Sequence, residues 1–442
     1  MKNKIIKLIF PIVFCVPLLS SCYDYKEPND ISYIAAIGID ETDSEGIYNY
    51  TLQFVRPSEI SGGSSEEGGS GEDTISLINV DAPSIYAAIA LGNHVVSKSF
   101  TLSHTKLIVI SDKLAKKTIT PLLDSIGRSS DIRPTVIMCV SNGDAKDYLE
   151  SVNPVIEINP VKYYRLIFED PNASYFPKSN AKELYVNLKT GIKQSVVPLV
   201  GVAADNKTEE NPDNKSSQNS DENKQKENTK GDIKTNDKQI FINKSGFEYN
   251  MKNYIAGELD IEKENLSETI GGAVFKNDKM IGILSNIESE LYNILTGEYR
   301  NGYSVIYSEK SPQIPVTVQI EQPQKPSVKI NLEENHPKIS IKISLEGNLK
   351  SVSENFPIEK DLMEFETSSA KYVEAALNKF LKKTTTEFNS DIVGFGNYAK
   401  RHFLTYDDFN DYQWNEKYKN AEFDVSVDFQ VRRTGLKRNK LK

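Results

Sequence analysis

Four histidines, His94, His104, His336 and His402, are the side chains best suited to acid–base or metal chemistry in this chain of 442 residues, and their spacing serves neither. None stands four residues from another, so no helix face carries two imidazoles, and the His-Glu-x-x-His pattern of zinc hydrolases is missing. Each reads as a surface or structural histidine. There is no Gly-x-Ser-x-Gly elbow, no Walker sequence and no pair of cysteines at metal spacing. The adjacent acids Asp407-Asp408 and Glu333-Glu334 point to opposite faces of a strand or diverge on a helix, and so read as solvated. The Gly, Ser and Glu run from Ser61 to Asp73 is followed by no Gly-Lys-Ser or Gly-Lys-Thr, which leaves a flexible loop rather than a phosphate cradle. Gly394-Phe395-Gly396 lacks the third glycine and the preceding strand of a dinucleotide fingerprint. The expectation is a protein that is not an enzyme, with no catalytic, cofactor-binding or metal-binding residue.

One thiol does point to chemistry. Leu19-Ser20-Ser21-Cys22 directly follows a positive segment with Lys2, Lys4 and Lys7 and an apolar run from Leu8 to Leu19. That run is too short to span a bilayer permanently, so it reads as a cleaved export signal. An apolar residue and two small ones before cysteine resemble the bacterial lipobox. The resemblance implies a diacylglyceryl group on the thiol and cleavage just before it, making Cys22 the lipid anchor and the first mature residue. Each buried methylene contributes about 0.8 kcal/mol, so one acyl chain holds marginally and two hold stably.

With Cys15 lost in the signal and Cys22 alkylated, Cys139 is the remaining thiol. It lies in Thr135-Val136-Ile137-Met138-Cys139-Val140, which reads as a buried strand, and so as an inert core thiol. No disulfide can form within the mature chain, which must be held by its core. The composition, 38% hydrophobic and 26% charged, suits a folded protein of two or three domains. Losing three lysines and no acids takes the net charge from -9 to -12, which argues against nucleic acid as a partner.

The elements follow from periodicity. Ile34 to Ile39 reads as a mostly buried strand. Tyr48, Tyr50, Leu52 and Phe54 alternate with polar residues, the mark of a half-buried one. Asp81 is placed to cap a helix with Pro83 in its first turn and Gly92 at its end. Leu107 to Ile110 is a strand closed by Ser111-Asp112, which open a helix. Arg133-Pro134 precedes the Cys139 strand, and Asp144 to Leu149 begins another helix. Asn206 to Asp237 contains one isoleucine and no aromatic residue, too little apolar surface to offset ordering entropy, and is expected to be disordered. Gly271 to Phe275 and Met280 to Leu284 flank a turn at Lys276 to Lys279, a hairpin signal. Beyond it, Ile339 to Leu345 alternates, Glu359 to Phe388 carries an apolar stripe at helical spacing, and Phe423 to Val431 alternates again. The fold class expected is α+β, with mixed and antiparallel sheets packed by helices in three domains. The expected divisions are a signal at 1–21, an N-terminal α/β region at 22–203, a disordered linker at 204–238, a C-terminal α+β region at 239–436 that could divide in two, and a basic tail at 437–442.

Several ordered pieces resemble the Ger(x)C family, the C-subunit lipoproteins of nutrient germinant receptors in endospore-forming bacteria. They are Cys22 with Asn29-Asp30 and Gly38-Ile39-Asp40, then His104 ahead of the Leu107 strand, and Asp131-Ile132-Arg133-Pro134. Next come Gly272-Ala273-Val274-Phe275-Lys276 with Lys279 and Gly282, then Asp391-Ile392-Val393-Gly394-Phe395-Gly396, and the terminal Arg432-Arg433-Thr434-Gly435-Leu436. The chain departs from the family at Ile283, where tryptophan is usual, and in the length of the 206–237 expansion.

The resemblance implies a non-enzymatic lipoprotein on the outer face of the spore inner membrane. It would assemble with membrane-spanning A and B subunits and be required for nutrient-triggered germination. The alternative is a solute-binding lipoprotein that delivers a small ligand to a transporter. Gly394 and Gly396 can be read as a structural turn or as a docking corner that presents Phe395. The basic end, Arg432 to Lys442, can be read as a solvated tail or as a contact with anionic lipid.

Overall fold

A computed structural model describes residues 30–55, 75–154, 157, 159–203, 253–259, 265–308, 311–332, 336–352 and 358–434. Cys22, the Ser61 to Asp73 loop, the 204–238 linker, Glu333-Glu334 and the 437–442 tail lie outside the described residues.

The first sheet has nine strands. Its path runs β3 (Ile75–Ala82), β2 (Tyr48–Val55), β1 (Ile31–Glu41), β5 (Leu107–Ser111), β6 (Ile137–Ser141), β7 (Val196–Val202), β8 (Ser267–Lys276), β9 (Lys279–Leu284), with the short β4 (Ser99–Thr101) beside the start of β1. Pairing is parallel from β1 through β5 and β6 to β7, and antiparallel on both flanks. Parallel strands need crossovers, and helices supply them on both faces. These are α1 (Ile85–Gly92), α2 (Asp112–Lys117), α3 (Thr120–Arg128), α4 (Ala145–Ser151), α5 (Pro160–Phe168) and α6 (Ala181–Thr190). Two buried clusters result, one on each face. The sheet takes in β8 and β9, so it continues across the 204–238 segment.

Two local expectations shift. Asp81 does not cap α1. The chain stays extended through Ala82, which pairs with Tyr48, and Ser84 caps the helix by accepting from the Ala87 amide at 3.2 Å. Strand β2 is buried on both faces, because α4 and α5 cover the side that carries Thr51 and Gln53. Gln53 accepts from the Tyr164 hydroxyl at 2.6 Å and Thr51 donates to Asn79 at 2.6 Å, so both polar side chains are satisfied.

After α7 (Asn286–Thr296) comes a second sheet of β10 (Asn301–Ser308), β11 (Ser311–Glu321), β12 (Ser327–Leu332), β13 (Pro337–Val352) and β14 (Glu422–Arg433). On β13, residues 346–352 pair with β11 and residues 337–342 with β12, while β14 runs parallel along 338–348 and so occupies the other edge. Helix α8 (Ile358–Thr386) lies on this sheet with Phe365, Val373, Leu377, Phe380 and Leu381 buried, the stripe its sequence periodicity defines. Gly396–Ala399 (α9), Tyr406–Tyr412 (α10) and Trp414–Tyr418 (α11) join it to β14.

Helix α8 also closes the outer edge of β14. Glu374 accepts from the Val427 amide at 2.9 Å and Glu366 from the Val431 amide at 2.7 Å. Eight helical residues rise about 12 Å and four strand residues about 13 Å, so two glutamates eight apart meet amides four apart.

Candidate functional site

The residues after α8 build a tightly bonded corner. Asn389 is left-handed, at φ 47°, and reverses the chain. Asp391 is then fully buried, and its carboxylate accepts from the amides of Gly394 (2.8 Å), Phe395 (3.0 Å) and Gly396 (2.6 Å) and from the Trp414 indole N–H (3.0 Å). Burial pushes its pKa up, against the opposing pull of these four donors. A carboxylate so occupied has no lone pair directed at a substrate, so its work is to fix the loop.

The glycines are needed here for space and conformation. Gly394 sits at φ 95°. A Cβ on Gly396 would lie 2.5 Å from the Ile192 carbonyl oxygen and 2.9 Å from Trp414 Nε1. Phe395 is 1% exposed and packs against Tyr418 and Phe423. The docking corner that presents Phe395 is therefore ruled out, and the structural turn is what the chain forms.

This corner clasps the segment between α6 and β7. Gln194 donates its amide to the Asp391 carbonyl at 2.8 Å, Asn415 donates to the Gly191 carbonyl at 2.8 Å, and the Tyr406 hydroxyl donates to the Thr190 carbonyl at 3.0 Å. The Gln194 side chain in turn accepts from the Asn277 amide in the β8–β9 turn at 2.6 Å. Asp278 of that turn accepts from Thr118, and from Thr120 at 3.0 Å, which holds its carboxyl below the usual range and ties the hairpin to α2 and α3.

Asp40, near the end of β1, serves the same purpose. Its carboxylate accepts from the amides of Ala145 (2.6 Å) and Lys146 (2.9 Å) and caps α4 from another strand, while Asp144, in the N-cap position, makes no side-chain cap. Burial raises its pKa in spite of those bonds.

The other sequence candidates stay apart. His94, His104 and His402 are exposed, His104 edge-on to Tyr33 at 4.7 Å and bonded to Ser103, and His336 lies 3.6 Å from Glu422. Cys139 is fully buried and its thiol pKa is pushed well up. Asp408 closes a capping box with Thr405 at the start of α10. Among the described residues no group of three or more His, Cys, Asp or Glu side chains converges as a metal site.

Sequence reading missed Glu290. It is buried on α7, accepts from Tyr299 at 3.0 Å and Ser304 at 3.4 Å, and burial pushes its pKa up to about 7. It borders a cavity of about 40 Å³ lined by Ile294, Ile306, Ile320, Leu345 and Val373. The available signal was its place on the apolar stripe of α7, between Ile287 and Ile294. A larger groove of about 250 Å³ between α7 and α8 has Ile287, Leu291 and Phe380 among its walls and Lys379, Lys382 and Lys383 among its polar lining. Lys383 is held there by Glu288 at 2.8 Å.

Comparison with known proteins adds the family. The family model described as "Spore germination protein N-terminal domain" matches residues 24–202, and that described as "Spore germination B3/ GerAC like, C-terminal" matches residues 270–435. The chain is 23% identical over 435 residues to spore germination protein KC of Bacillus subtilis (strain 168), covering 98% of this chain and 96% of that protein. The crystal structure of the GerBC protein superposes with a TM-score of 0.50 at 16% identity, covering 90% of this chain and 96% of the other, a likeness of fold. The first match ends at the end of β7 and the second begins inside β8, so both matched regions contribute strands to one sheet.

Proposed function

The chain belongs to the Ger(x)C family of germinant-receptor C subunits, and we propose that it acts as a non-enzymatic lipoprotein required for nutrient-triggered spore germination. In this reading Cys22 carries a diacylglyceryl group and tethers the body to the outer face of the spore inner membrane. There it assembles with membrane-spanning A and B subunits. No helix among the described residues is long and apolar enough to cross a membrane, and in this reading the two acyl chains supply the attachment.

One observation carries the reading beyond the family itself. The motif acids Asp40 and Asp391 direct their carboxylates at main-chain amides inside the fold. These two acids thus act as framework rather than as reacting groups, which suits a subunit that works through contacts.

Deleting the gene is expected to abolish germination on at least one nutrient while sporulation proceeds, and normal germination on every nutrient would overturn the proposal. Co-purification of the tagged protein with the A and B subunits from spore membranes tests the assembly. Tight stoichiometric binding of an amino acid, sugar or nucleoside to the isolated protein would instead favour the solute-binding alternative.

A further inference from the structure

Helix α1 is apolar on every side. Its sequence, Ile-Tyr-Ala-Ala-Ile-Ala-Leu-Gly, has no charged residue. Ile85, Ala88 and Gly92 are buried, while Tyr86 and Leu91 are 43% and 49% exposed and Val95, in the turn that follows, is 73% exposed. A helix apolar all round is ordinarily enclosed by protein or by lipid.

The position of this face in the fold says which. Asn93 accepts from the Phe100 amide at 2.8 Å and fastens the turn to β4, and Ser99 of β4 pairs with Ile31, the first residue of β1. Val95 thus stands four residues from the strand that flanks the entry of the chain. Ile31 follows Cys22 by nine residues, which reach at most about 30 Å when fully extended. An anchor at Cys22 therefore keeps this end of the first sheet close to the bilayer. Val55, which ends β2, pairs with both Tyr33 and Ile75, so the near ends of β1, β2 and β3 lie together.

We propose that the outer face of α1, with Leu91 and Val95, is seated in the headgroup–acyl boundary of the bilayer that holds Cys22. The inference rests on the anchor assigned under the proposed function. The Tyr86 ring suits that depth, since tyrosine favours the boundary between water and hydrocarbon.

The test uses the full lipidated chain in phosphatidylcholine vesicles. Val95→Cys supplies a single reactive thiol for a nitroxide, because Cys22 is acylated and Cys139 is buried. Met363→Cys, at an 81% exposed position on α8, is the aqueous reference. On vesicle binding the label at 95 is expected to gain collisions with oxygen and lose collisions with an aqueous nickel complex, with the label at 363 unchanged. A label at 95 that stays aqueous on lipidated, vesicle-bound protein would overturn the seat and leave the anchor standing, and a protein would then be the cover. Spin coupling between labels on two molecules would overturn it in favour of a second copy. An unmodified Cys22 by mass spectrometry would remove the anchor and the seat together.

Discussion

The Gln194 amide donates to the Asp391 carbonyl at 2.8 Å, a bond between residues nearly two hundred positions apart that joins the helical layer of the first sheet to the corner behind α8. Around it, Gly191 and Thr190 receive Asn415 and Tyr406, and Gln194 receives the Asn277 amide. Three residues of one short stretch, Thr190, Gly191 and Gln194, thus bond the corner to the first sheet.

Gly396→Ala is expected to pry this joint open. Its Cβ would meet the Ile192 carbonyl at 2.5 Å, so main chain must move, at a cost of about 1–3 kcal/mol. Limited proteolysis should cut between Thr190 and Ser195 faster than in the parent. Gly46→Ala is the comparison: φ is 75° but the space is open, so only a backbone cost of about 1 kcal/mol applies and cleavage at the joint should not change.

Asp391→Ala leaves three amides and an indole N–H buried without an acceptor. A loss of about 3–5 kcal/mol is expected, read as a lower urea midpoint and a smaller yield of folded protein. Asp391→Asn keeps one acceptor oxygen and should lose less.

Phe395→Ala is expected to cost about 3–5 kcal/mol, because the ring is enclosed by Tyr418 and Phe423. Thermal unfolding checks this. A variant of unchanged stability would contradict the packing described.

Glu290 makes stability depend on pH. Its folded value of about 7 lies above the ordinary 4.5, so the folded chain keeps a proton that the unfolded chain releases between those values. Stability therefore falls as pH rises from about 4.5 to 7, by a total on the order of 3 kcal/mol. Glu290→Gln, with the same shape and no charge, should flatten that slope and be the more stable form at pH 8 in urea titrations.

Cys22→Ala is expected to leave the domains folded and release the protein from membranes. Fractionation reads this directly, and continued tight membrane association would count against the anchor.

Much of the fold was legible because its signals are local. The stripe from Leu362 to Leu381, the alternation from Phe423 to Val431 and the turn at Lys276 to Lys279 each need only neighbours in sequence. The burial of Gln53 and Thr51 was not legible, since it depends on helices that arrive about a hundred residues later. Asp81 lost its capping role to strand pairing through Ala82, a tertiary demand that overrides a good local cap. At the corner, Gly394 and Gly396 could be seen as a turn, but the carboxylate that fills it, and the inward aim of Phe395, depend on Trp414 and Ile192. Glu290 interrupts a hydrophobic stripe, and that interruption was the sole trace its sequence left.

The two glutamates on the rim of β14 have a consequence under the tether proposed for Cys22. Molecules tethered to one surface meet one another far more often than in free solution, and a bare row of strand amides would invite them to zip together side by side. Glu366 and Glu374 take two amides of that row, those of Val431 and Val427, from within the same chain. On a tethered chain, these two internal bonds would leave fewer strand amides open to a crowded neighbour.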